Sequence, residues 1–131
     1  MNTFILNNKS ERNHREIYPL DAELKGFAIY DYDEQQAQHT FNSDFTLIQS
    51  GDRALVFGKD LKVELIFRVT GTKKQQAPDL PKEVFVIYAE NFDRLVESMR
   101  YRDFITVHGL SNPNLDPDNN FRRGMLVAHV Y

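Results

Sequence analysis

This sequence contains no cysteine, which excludes a disulfide framework, thiolate zinc sites and cysteine nucleophiles together. A reducing compartment suits such a chain, and a cytoplasmic location is the expectation. Long apolar runs are also missing. The start, MNTFILNNKSERNHRE, offers only a short apolar patch before it turns polar, too little for a signal-peptide core. No stretch approaches the ~18 apolar residues that a membrane-spanning helix needs, so no membrane partner is expected. Phosphate-cradling glycine runs, a G-x-S-x-G elbow and an H-E-x-x-H helix are absent as well. The chain therefore reads as a non-enzyme without a cofactor. A strongly basic balance is lacking too: the net charge is −3, which argues against a protein that holds duplex nucleic acid through many phosphate contacts.

What is present suits one folded domain over residues 1–131, with 41% hydrophobic and 27% charged residues. Charge is spread unevenly. Residues 1–51 hold four Lys/Arg against eight Asp/Glu, whereas residues 52–131 hold twelve against eleven. An acidic first part suits an alternative function, a small protein-interaction domain of the immunity or inhibitor type that meets a basic partner, and net charge leaves room for a local basic strip in the second.

The clearest local pattern is SGDRALVFGKDLKVELIFRVTGTKK, residues 50–74. Ser50-Gly51-Asp52 signals a turn, Arg53–Phe57 a short strand and Gly58-Lys59-Asp60 a tight connection. From there Leu61, Val63, Leu65, Phe67 and Val69 alternate with Lys62, Glu64, Arg68 and Thr70, as in a strand with one wet face. A β-hairpin over Gly51–Thr72 follows, with Lys73 and Lys74 just beyond its tip. Glu83–Ala89, EVFVIYA, is continuously apolar after its first residue and reads as a central strand covered on both faces. Next, Asn91 can cap a helix over Asn91–Arg102, with Phe92, Leu95, Val96 and Met99 as its buried stripe and Asp93, Arg100 and Arg102 opposing the dipole.

Phe104–His108 and Met125–Tyr131 are β-branched and aromatic, and read as two strands paired across the polar loop Ser111–Gly124. Thr3–Leu6 reads as an edge strand, Asp21–Lys25 as a helical turn and Phe27–Tyr32 as a strand. Residues 33–43 and Gln75–Lys82 read as loops. The last strand runs to Tyr131 without a tail, as in a domain cut from a longer chain. The fold class is thus α+β, mainly β. Its economical form is a small, partly closed β-barrel of about six strands with one or two helices packed on it, and an open sheet with a helix on one face is the alternative.

Gly51-Asp52-Arg53-Ala54-Leu55-Val56-Phe57, followed by a strand ending Phe67-Arg68-Val69-Thr70-Gly71, resembles the PUA-like superfamily of small β-barrels, which includes the PUA, ASCH, EVE and YTH domains. Its members mostly bind RNA or DNA, and the EVE and YTH branches enclose a modified base between aromatic walls. The resemblance implies a module that binds RNA or DNA and recognises a modified or flipped base, within an RNA-modification or DNA-restriction system. This chain has no tryptophan, so such walls would fall to tyrosine and phenylalanine.

Two candidate sites suit that chemistry. Lys62 and Arg68 on the wet hairpin face, with Lys73, Lys74, Arg122 and Arg123, form a possible phosphate strip, which would position a backbone without reading sequence. The plainer reading is a solvated face with Glu64 as cross-strand partner. Tyr30, Asp31 and Tyr32 form a candidate base pocket, with aromatic walls and a carboxylate for an exocyclic amine. The plainer reading sets those rings at the core rim. Asp116, Asp118 and Asn120 have the spacing that opens a calcium loop, but Phe121 stands where its glycine belongs, so a turn is expected. His108 and His129 would face each other if the terminal strands paired. They lack further ligands, and no metal is expected.

Overall fold

The hairpin expected from alternation forms. The computed structural model describes residues 1–9, 14–16, 27–30, 40–76, 83–89, 93–95 and 99–131. In it, β4 (Arg53–Phe57) and β5 (Val63–Gln76) pair antiparallel, with Ala54 opposite Phe67 and Leu55 opposite Ile66. The connecting turn puts Leu61 in the left-handed region, φ 66°, and Leu61 N–H donates to the Gly58 carbonyl at 3.0 Å. A Cβ at Gly58 would come first against the Glu64 carboxylate, at 2.5 Å, the movable end of an exposed side chain.

A register shift between Val56 and Phe57 sets Val56 opposite Leu65 and Phe57 opposite Val63, leaving Glu64 as the extra residue of a bulge. This corrects the single-face reading of the alternation. Leu61 and Val63 join one apolar cluster, whereas Leu65, Phe67 and Val69 join the other.

The strand β5 is also longer than expected, and its two halves have different neighbours. Its first half pairs with β4, and its second half, past a shift between Val69 and Gly71, pairs with β6 (Glu83–Ala89). Beyond β6 lie β3 (Phe27–Tyr30) and β2 (His14–Glu16), both antiparallel. On the other side, β1 (Thr3–Asn7) runs parallel to β4, and β8 (Val127–Val130) antiparallel to β1. The pairing order is β2-β3-β6-β5-β4-β1-β8. Among the described residues β2 and β8 do not pair, so the sheet is not closed. The fold is mainly β and mixed in direction, and α1 (Tyr101–Val107) is the α-helix among the described residues.

Several expectations are overturned. Thr3–Leu6 is not at an edge: Phe4, Ile5 and Leu6 are fully buried, and a strand covered on both faces sits between neighbours. The helix expected over Asn91–Arg102 is replaced at Asp93–Arg94 by a short strand, β7, opposite Ile66 and Leu65. The chain leaving β6 continues along the same edge of β5, and satisfying that edge outweighs the helical spacing of the side chains.

Phe104–His108 is not a strand. Tyr101, Phe104 and Ile105 are the buried residues of α1, at the three- and four-residue spacing of a helix stripe, so the β-branched run Ile105-Thr106-Val107 misleads. Met125–Tyr131 therefore pairs with β1 instead, through Val127–Val130. Of the loop expected over residues 33–43, residues 40–43 belong to a 3-10 helix, Thr40–Leu47, and residues 33–39 lie outside the described residues. The helical turn expected over Asp21–Lys25 lies outside the described residues.

Burial explains this layering. On one face of β1 and β4, Phe4, Leu6, Ala54 and Val56 pack with Phe45 and Ile48 from the 3-10 helix region and with Ile87 and Ala89 of β6. On the other, Ile5, Leu55 and Phe57 pack under Tyr101, Phe104 and Ile105. The outer edge of β8 is capped: His129 N–H donates to Asp44 Oδ2 at 2.9 Å, and Asn112 Nδ2 donates to the His129 carbonyl at 2.6 Å. Such capping blunts an edge that would otherwise pair with another chain. No helix among the described residues is long and apolar enough to cross a membrane.

Candidate nucleic-acid interface

Where β4 ends and α1 begins, three rings meet. Phe57 stacks on Tyr101 with centroids 4.0 Å apart, and Phe121 meets both edge-on, at 5.0 Å and 5.1 Å. Each ring reaches this point for a local reason. Phe57 faces the helix side with Leu55, two residues before it on β4, and Tyr101 N–H donates to the Leu61 carbonyl at 3.0 Å, which seats the first turn of α1 on the hairpin turn. Phe121 is drawn in by its own N–H, which donates to the Tyr101 hydroxyl oxygen at 2.8 Å. Burial of that phenol raises its pKa, and the Phe121 hydrogen bond opposes the shift.

These rings floor a cleft of about 480 Å³, whose lining adds Lys9, Arg122 and Arg123 as cations and Asn7 and Asn120 as polar groups. Phe57 and Tyr101 are buried, whereas Phe121 is half-buried, so Phe121 is the ring with surface left for a ligand. The loop behind it is pinned by Asp116, whose Oδ1 accepts from the N–H groups of Asp118 and Asn120 at 2.9 Å and 2.8 Å. The Asn120 N–H bond leads the causes that hold the Asp116 pKa below the usual carboxylate value, with Arg122 contributing. Arg122 is steadied in turn by Nε donating to the Asn114 carbonyl at 3.1 Å. The calcium-like spacing is thus a turn.

Of the residues anticipated for phosphate contact, Arg122 and Arg123 come together in this cleft. Lys62 is exposed and its backbone forms an isolated antiparallel β-bridge with that of Arg100, and the two follow and precede the lining residues Leu61 and Tyr101. Arg68 lies elsewhere, opposite Arg53 on the hairpin. Lys73 and Lys74 are not beyond a hairpin tip but inside β5, opposite Val86 and Phe85. Adjacent strand residues point to opposite faces, so they do not extend one strip. The six cations are therefore not a single surface.

For the candidate base pocket, Tyr30 ends β3 in register with Phe85, while Asp31 and Tyr32 lie outside the described residues. The histidines do not face each other. His108 follows α1 with its ring 4.3 Å from Phe104, and His129 stacks on Phe4 at 5.0 Å. Among the described residues no group of three or more His, Cys, Asp or Glu side chains is placed to hold a metal ion.

Sequence reasoning missed Lys9, Phe57, Tyr101 and Phe121 as parts of a site. Phe121 carried a usable signal: an aromatic residue in a polar loop, directly before two arginines. Phe57 and Tyr101 carried none, since each looks like ordinary core. No family model and no curated protein matches this chain.

Proposed function

We propose that this chain is a nucleic-acid-binding module, without catalysis of its own, that takes an unpaired or flipped-out nucleotide of RNA or DNA in the Phe121–Arg123 cleft. The observation that carries this reading is the joining of a half-exposed ring to Arg122, Arg123 and Lys9 in one cleft of about 480 Å³. That size suits a small ligand unit. Arginines fit phosphate oxygens with paired N–H donors, and an aromatic face accepts any base. The likeness of the Gly51–Gly71 hairpin to PUA-like barrels supports the same reading and extends it to a partly closed barrel and to modified-base recognition.

The test is binding of short single-stranded RNA and DNA against salt. Affinity should fall steeply with ionic strength, and Arg122→Gln with Arg123→Gln should reduce the log–log slope by about 0.7 for each phosphate contact removed. Phe121→Ala should weaken binding by about 1–3 kcal/mol and leave the slope unchanged, because stacking releases no counterions. Absence of binding to any RNA or DNA at low salt overturns the reading. Recovery of a basic protein on the acidic first part would then put an interaction domain in its place.

A further inference from the structure

At the other end of β4 from the cleft, two arginines face each other across the hairpin. Arg53 and Arg68 are register partners, and the Arg53 N–H turns away from β5 to the Asn2 carbonyl at 2.8 Å. The pair is therefore of the non-hydrogen-bonded kind, in which side chains stand closest, with Cβ atoms roughly 4.5–5.5 Å apart. Like charges so placed repel. Arg53 is held in position: its Nη2 donates to Thr3 Oγ1 at 3.2 Å, and its guanidinium lies 5.7 Å from the centre of the Phe104 ring. Its Nε is buried and has no hydrogen-bond partner. Arg68 is exposed, and among the described residues neither arginine forms an ion pair. Asp52, next to Arg53 in the chain, is committed elsewhere, accepting from the N–H groups of Asn2 and Gln49 at 3.0 Å each.

We propose that Arg53 and Arg68 form a phosphate-binding site. A close pair of like charges is unfavourable, and one oxyanion bound between the exposed Arg68 and the accessible part of the Arg53 guanidinium relieves it. A tetrahedral phosphate presents oxygens to two guanidinium forks at once, whereas a planar carboxylate is matched to one. The site is separate from the cleft. Arg53 and Phe57 are about 13 Å apart along an extended strand, too far for one phosphate to serve both. The proposal thus stands whether or not the cleft binds nucleic acid.

The test is thermal unfolding with inorganic phosphate, compared with chloride and acetate at matched ionic strength. Phosphate should raise the melting temperature saturably, and chloride and acetate should not. Arg68→Gln should weaken the apparent phosphate affinity by about tenfold or more, the loss of a charge-assisted contact. Arg68→Glu, which supplies an internal anion opposite Arg53, should melt higher than wild type without phosphate and ignore added phosphate. The wild-type response should persist in the Arg122→Gln, Arg123→Gln variant. Competition by a short oligonucleotide would identify a backbone phosphodiester as the source, and its failure a free phosphate or monoester; both support the site. A response absent in wild type, matched by acetate, kept by Arg68→Glu, or lost with Arg122 and Arg123 overturns it.

Discussion

Two dibasic pairs, Lys73-Lys74 and Arg122-Arg123, look alike in the sequence and behave differently in the fold. The lysines lie on β5, where pleating sends neighbours to opposite faces, and each is exposed opposite an apolar residue of β6. Beyond Val69 the edge of β5 away from β6 has no strand partner among the described residues, and lysines are a common guard on such an edge. The arginines follow Phe121 within the loop between α1 and β8, so the backbone can bend and bring both to one cleft with it. Adjacent charges converge on a ligand more readily from a loop than from a strand.

The largest effect that should separate these regions is Phe57→Ala. Phe57 is 1% exposed and touches both other rings, so its loss should cost about 3–5 kcal/mol in urea unfolding and open the arginine cleft. An intermediate effect is expected at Tyr101→Phe. This removes the acceptor of the Phe121 N–H and should cost about 1 kcal/mol.

The same phenol gives a pH signature. Its pKa is raised in the folded state, so its contribution is complete below the ordinary tyrosine value of about 10. It is lost as pH climbs from there through the folded value, because the unfolded chain ionises first. Melting temperature against pH should therefore fall on the alkaline side in wild type and fall less in Tyr101→Phe. The smallest effect is expected for Lys73→Thr with Lys74→Thr, where each exposed change should stay within about 0.5 kcal/mol.

How much was legible follows the range of the forces involved. The β4–β5 hairpin was readable because alternation and turn residues are local signals, and Glu83–Ala89 because an unbroken apolar run implies cover on both faces. Asp93–Arg94 was misread because it answers to the open edge of β5, a partner distant in the sequence, and Phe104–Val107 because its β-branched run imitates a strand. Thr3–Leu6 looked peripheral only because its parallel partner, β4, comes about fifty residues later. For the site, Arg122 and Arg123 announced themselves by charge. Their aromatic floor depends on α1 being seated on the hairpin turn and on a hydrogen bond across twenty residues, Phe121 to Tyr101, and neither leaves a mark on the sequence.

The most direct measurement is an amide chemical-shift map during titration with a short single-stranded oligonucleotide. Binding in the cleft predicts the largest perturbations at Lys9, Leu61, Tyr101 and Phe121–Gly124, with Gly71–Lys74 almost unmoved. Shifts centred on Gly71–Lys74 instead, or no saturable shifts at low salt, would contradict the account.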